Sequence, residues 1–168
     1  AEAFELRLKL AKEKNADLVL ATDPDADRLG VYVKDTKSGE YIPLTGNMSG
    51  SLLCDYVLSQ KQAKHEIPAD GQVIKSIVST NLVDAVAKHY GCELVEVLTG
   101  FKYIGQQILK EEQTGKGKYM FGMEESYGCL IGTYARDKDA ISATAALCEA
   151  AAYYKDKGMT LWDAMIAM

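Results

Sequence analysis

From Gly46 onward the chain alternates short strand-like runs with helical patterns, and this alternation restricts the fold more than any other feature. "QVIKSIVST" (Gln72 to Thr80) reads as a strand and "LVDAVAKHY" as a helix stopped by Gly91. "CELVEVLTG" is the next strand, "KYIGQQILKEEQ" the next helix, and "YMFGM" a further strand. "EESYG" is a tight polar loop, "CLIGTY" another strand, and an Ala-rich helix then runs to about Lys157, with Gly158 separating it from a last helix. "TGN" (Thr45 to Asn47) opens the first helix of the series, which carries Leu52, Leu53, Tyr56 and Val57 and has Asn47 or Ser49 as its expected cap. Each strand needs cover on its apolar faces, so the pattern predicts a layered helix–sheet–helix α/β domain with a mixed sheet.

The segment before Gly46 reads differently. A helical pattern reaches Asn15, "DLVLA" and "LGVYV" are short strands around an acidic loop, and "KDTKSGE" is a polar turn at Gly39. This is the expected tail of a preceding, partial α/β segment, which places a boundary between residues 1–45 and 46–168. The sequence starts inside one helical pattern and stops at "TLWDAMIAM", inside another. Domains usually end in exposed linkers, so the expectation is a piece of a longer protein.

Composition bears on the partners. Among 168 residues, 48% are hydrophobic and 26% charged, and the net charge is −5. That balance argues against nucleic acid or an anionic membrane as partner, but not against a small anion held by local charge. No apolar run reaches the length of a membrane span, and the cytoplasm is the expected location. Cys54, Cys92, Cys129 and Cys148 form no CxxC pair and are expected to be buried free thiols.

"LVLATDPDADRLGVYV" places Asp23, Asp25 and Asp27 at alternate positions between two apolar runs, with Arg28 next. Hard divalent cations take oxygen ligands, and carboxylates at i, i+2 and i+4 on a turning loop can converge on one Mg²⁺. An EF-hand needs Gly at loop position six and Glu at twelve, where this sequence has Arg28 and Lys34. A haloacid-dehalogenase-type phosphatase loop would have Thr or Val where Asp27 stands. A solvated acidic turn without a metal also fits these residues.

Three further stretches carry chemistry. In "VLTGFKYIG", Thr99 offers a hydroxyl, Gly100 permits close approach to the backbone, and Lys102 adds positive charge near a helix start. In "FGMEESYG", Glu124 and Ser126 suit a sugar, since a carboxylate accepts from hydroxyls and a serine donates or accepts. "ARDKDA" sets Arg136 and Lys138 before a long helix, positions suited to an anion. Each stretch also reads as an ordinary turn with local ion pairs. His65 and His89 lie in no motif and are expected to be surface or packing residues.

Together, "ATDPDADRLGV", "LTGFKYIG", "FGMEESYG" and "RDKD", in this order, resemble the α-D-phosphohexomutase family, especially its phosphoglucomutase and phosphomannomutase members. The resemblance spans nearly the whole chain. It implies a four-domain parent that interconverts hexose 1-phosphate and hexose 6-phosphate through a phosphoserine and a hexose bisphosphate. It further implies that Asp23, Asp25 and Asp27 ligate Mg²⁺ and that Arg28 faces the transferring group. Thr99, Lys102, Glu124 and Ser126 would contact substrate, and Lys138 would bind near phosphate as a general acid or base. Phosphoryl transfer depends mainly on alignment and charge neutralisation, which such a set can supply.

The sequence also departs from the family. Its phosphoserine loop usually reads like Thr-Ala-Ser-His-Asn-Pro and its last phosphate loop like Arg-x-Ser-Gly-Thr, and neither occurs in these residues. The expectation is therefore the end of the metal-loop domain followed by the sugar-binding domain, inactive without the remaining domains of the parent. The "EES" form leans towards glucose phosphates and leaves mannose open. The competing expectations are a stand-alone, non-catalytic sugar-phosphate or metal-binding module, and a phosphatase built on the aspartate loop.

Overall fold

A computed structural model describes residues 4–168. The elements, in chain order, are α1 (Glu5–Lys14), β1 (Leu18–Thr22), β2 (Leu29–Lys34), β3 (Tyr41–Leu44), α2 (Gly46–Ala63), β4 (Gly71–Ser76), α3 (Leu82–His89), β5 (Glu93–Val97), α4 (Phe101–Thr114), β6 (Lys118–Glu124), β7 (Gly128–Leu130), α5 (Ala140–Asp156) and α6 (Leu161–Ala167). They build two sheets, one ordered β1-β2-β3 and antiparallel, the other ordered β5-β4-β6-β7. In the second sheet β4 runs parallel to both β5 and β6, and β7 returns antiparallel. The mixed α/β architecture expected from the alternation is thus the one found.

The parallel strands set the layering. All six residues of β4 are buried, as a strand covered on both faces requires. Successive side chains point to opposite faces. Ile74 joins Phe101, Ile104 and Ile108 of α4 on one side. Its neighbour Val73 joins Leu52, Leu53, Val83 and Val86 of α2 and α3 on the other. The antiparallel sheet closes over that second cluster: Leu29, Val31 and Val33 alternate with less buried residues along β2 and pack with Leu44, Leu147 and Leu161. Helices α2 and α5 contact both sheets, so one apolar core crosses from residues 1–45 into 46–168.

Several local expectations are corrected. Residues 41–44, to which the sequence reading assigned no element, form β3, paired with β2; Pro43 is tolerated because β3 is an edge strand. Helix α2 is capped by Thr45, whose side chain accepts from the Met48 N–H, while Asn47 accepts instead from the Thr80 N–H. Strand β4 ends at Ser76 rather than Thr80, because the Ser79 N–H bonds back to the Ser76 carbonyl and turns the chain. Strand β7 spans three residues only. Cys54, Cys92 and Cys129 are buried free thiols, but Cys148 is exposed, off the face of α5 that buries Ala143, Leu147 and Ala150. His65 and His89 are exposed. Residues 1–3 of the first helical pattern lie outside the described residues. Among the described residues, no helix is long and apolar enough to cross a membrane.

Candidate functional site

Parallel strands bring their C-terminal ends to one edge, where α/β sheets bind ligands. Here that edge collects the loops after β4, β5 and β6: residues 77–81, 98–100 and 125–127. The aspartate loop is the turn of the β1–β2 hairpin, and two backbone bonds join it to the same edge. The Leu29 N–H donates to the Tyr127 carbonyl at 3.0 Å, and the Ala140 N–H, first in α5, donates to the Ala26 carbonyl at 3.0 Å.

Both acceptors sit in the left-handed region, Ala26 at φ 55° and Tyr127 at φ 68°. That conformation is costly for residues with a Cβ, by roughly 1–2 kcal/mol each, and such strain gathers at functional loops. The Ala26 carbonyl ties the hairpin to the start of α5, and the Tyr127 carbonyl ties it to the turn between β6 and β7.

Within the aspartate loop, one carboxylate oxygen from each of Asp23, Asp25 and Asp27 can be chosen so that all lie within 4.8 Å of one another. The Asp27 Oδ1 is buried and has no hydrogen-bond partner. It is ion-paired with the Arg28 Nε at 3.4 Å without a hydrogen bond, and an oxygen-only set of three carboxylates fits a hard divalent cation. Asp23 accepts from the backbone N–H groups of Asp27 and Arg28 and from the Arg28 Nε at 2.7 Å. Partial burial opposes its charge, but the bonds from Arg28 prevail and hold its pKa at about 2. The Arg28 side chain is 57% exposed, beside a groove lined by Thr22, Asp23, Gly30 and Tyr127.

Lys138 joins the two loop systems. Its Nζ lies 3.0 Å from Asp27 Oδ2 and 2.9 Å from Asp137 Oδ1. It also stands 5.3 Å from the ring centroid of Phe101. Burial disfavours its charge, but the hydrogen bonds it donates to Asp137 and Asp27 outweigh that and raise its pKa above the ordinary lysine value. The side chain passes directly over Gly128, where any Cβ would collide with it. The glycine after the polar turn is therefore what admits this lysine.

Phe101 follows Gly100, whose N–H donates to Glu124 Oε1 at 2.6 Å. Glu124 is 5% exposed at the end of β6, so its carboxylate is pinned rather than free to swing. Thr99 and Ser126 are exposed on the neighbouring turns. Lys102 is exposed on α4 with its ammonium over the Tyr103 ring at 5.0 Å, and its side chain is not drawn into this network. The arrangement thus joins Asp23, Asp25, Asp27, Arg28, Lys138, Thr99 and Glu124 along one edge.

Sequence reasoning missed other groups here. Phe101 and Tyr127 line the connection, and Ser76 at the end of β4 and Ser79 in the following loop reach Glu125. Lys75 lies fully buried beneath them. The one available signal was a lysine inside an otherwise strand-like run, "QVIKSIV".

Two family models match the chain. "Phosphoglucomutase/phosphomannomutase, alpha/beta/alpha domain III" covers residues 45–167, and domain II of the same family covers residues 1–39. Phosphoglucomutase of Staphylococcus aureus strain USA300 is 40% identical over 164 residues, 96% of this chain and 28% of that protein. The chain therefore spans little more than a quarter of the curated relatives it matches. Among solved structures, the open form of pp63/parafusin, a phosphoglucomutase from Paramecium, superposes with a TM-score of 0.68 at 22% identity, covering 99% of this chain and 27% of that one. N-acetylphosphoglucosamine mutase of Aspergillus fumigatus, solved in complex with GlcNAc-6P and magnesium, gives a TM-score of 0.60 at 16% identity, covering 91% of this chain and 35% of that one. At these identities the structural matches establish the fold.

Proposed function

Because the chain belongs to the phosphoglucomutase/phosphomannomutase family, we propose that it forms part of an enzyme interconverting hexose 1-phosphate and hexose 6-phosphate. On this reading residues 1–45 close the metal-loop domain and residues 46–168 form the sugar-binding domain. The phosphorylated serine and the second phosphate clamp belong to other domains of the parent, and this segment alone is inactive. The location proposed for the parent enzyme is the cytoplasm.

Asp23, Asp25 and Asp27 are the residues to hold Mg²⁺, which when bound would draw negative charge from the phosphoryl group. Arg28 presents its guanidinium beside these carboxylates to the transferring group. Lys138 adds a second positive charge from the opposite loop and is the candidate general acid or base. Thr99, Glu124 and Ser126 read sugar hydroxyls, and Lys102 sits at the margin of the same edge. Because the bisphosphate must turn around between the two transfers, the sugar contacts have to serve both orientations. A fixed carboxylate with an adjacent hydroxyl suits that need.

The observation that carries this reading is the position of Lys138, within 3.0 Å of Asp27 and against Phe101, beside the Glu124-bound Gly100. This contact sets the aspartate loop against the start of α4, next to the turn that carries Glu124. In the complete protein, Asp25→Ala should remove most mutase activity while leaving the melting temperature nearly unchanged. Near-normal turnover of that variant would rule out the metal role.

A further inference from the structure

Glu125 has no part in the roles above, yet its carboxylate is held more closely than a solvent-facing turn residue requires. The Ser76 hydroxyl donates to Glu125 Oε2 at 2.7 Å, the Ser79 hydroxyl lies 3.4 Å from the same oxygen, and the two hydroxyls are 2.8 Å apart. Ser76 is fully buried and Ser79 nearly so. The carboxylate of Glu125 is thus committed to the loop after β4, whereas that of its neighbour Glu124 is bound by Gly100.

Beneath the two serines lies Lys75, with 0% of its surface exposed. Its ammonium is 3.4 Å from the Ser79 carbonyl, 3.3 Å from the Thr80 carbonyl and 3.3 Å from Asn81 Oδ1. Asp84 at 2.5 Å and Glu96 at 3.4 Å balance its charge. A buried ammonium persists only when its charge and its donors are satisfied. Three of its acceptors here belong to consecutive residues of one turn, so satisfying the lysine fixes the turn. The Thr80 N–H bond to Asn47 ties the same turn to the start of α2.

We propose that Ser76 and Ser79, held in place by Lys75, are positioning residues that clamp Glu125 and thereby fix the Glu124–Ser126 turn where it meets the sugar. This rests on the sugar-reading role given to that turn. A contact surface that must accept two substrate orientations gains from a rigid frame, because a displacement of about 1 Å is enough to weaken such contacts severely.

The complete protein carrying this segment provides the test. Ser76→Ala and Glu125→Ala should each raise KM for hexose 1-phosphate about ten-fold with kcat lowered less than about three-fold, the signature of lost binding shared by ground and transition states. Glu125→Gln, whose amide oxygen still accepts from Ser76, should stay within about two-fold of the unsubstituted protein, because the bond rather than the charge does the positioning. Hydrogen exchange reads the clamp without turnover: amides of Tyr127 and Gly128 should exchange about ten-fold faster in Ser76→Ala, with those of α4 unchanged. Unchanged exchange at the turn overturns the clamp. Faster exchange with KM unchanged in an active protein overturns its positioning role. If instead the sugar reading is wrong, Glu124→Ala leaves KM untouched, and the clamp is then judged on the exchange rates alone.

Discussion

Glu111 offers a quantitative test of the packing around α4. It lies in the last turns of that helix, 6% exposed, and its Oε1 is buried without a hydrogen-bond partner. Burial raises its pKa from the ordinary 4.5 to about 6; the Tyr119 N–H works against that rise, while Asp70, Glu112 and Glu93 add to it. The native state therefore holds this proton more tightly than the unfolded chain does. Its contribution to stability is fully present below pH 4.5 and is lost as pH climbs through 6. At about 1.4 kcal/mol per pH unit the rise amounts to roughly 2 kcal/mol, and solvent at the rim of the neighbouring groove reduces it to about 1 kcal/mol. Glu111→Gln keeps an acceptor for the Tyr119 N–H and removes the titration. Urea unfolding of the two proteins should give equal stability near pH 4 and an advantage of about 1 kcal/mol for the variant at pH 7. A variant less stable at pH 7, or a difference independent of pH between 4 and 7, would refute the reasoning.

The remaining predictions concern the site's frame. Gly46→Ala should destabilise by about 2–3 kcal/mol in thermal or urea unfolding, because its Cβ would collide with the Glu125 carbonyl, which is backbone and cannot step aside. Asp139→Ala should cost about 1 kcal/mol, since Asp139 Oδ1 caps α5 by accepting from the Ile141 and Ser142 N–H groups; an unchanged melting temperature would contradict the capping role. Calorimetric titration of the 168-residue chain with Mg²⁺ should show weak binding only, with water filling the positions the three aspartates leave open, and tight binding would contradict that.

Much of the fold was legible because local periodicity and long-range packing agree. The run "QVIKS" alternates between the two faces that bury Val73 and Ile74, and α4 carries Phe101, Ile104 and Ile108 at helical spacing. Residues 41–44 were not legible: four residues with a proline carry no alternation, and pairing to β2 decides their state. At the site, the aspartates announced themselves because three carboxylates on one short loop need a reason. The separate partners of Glu124 and Glu125 were not legible: the end of β6 between them sends one to Gly100 and the other to Ser76. The Lys138–Asp27 pair depends on how the hairpin docks against α5, which no local pattern encodes.

On the proposed function, the aspartate loop and the Glu124–Ser126 turn act on one sugar phosphate. The most direct measurement is ³¹P NMR of the complete protein with glucose 1-phosphate, glucose 1,6-bisphosphate and Mg²⁺. The account predicts appearance of glucose 6-phosphate, abolished by a chelator and by Asp27→Asn. Glucose 6-phosphate formed at an undiminished rate in the chelator or in that variant, or no interconversion of any hexose phosphate, would contradict it.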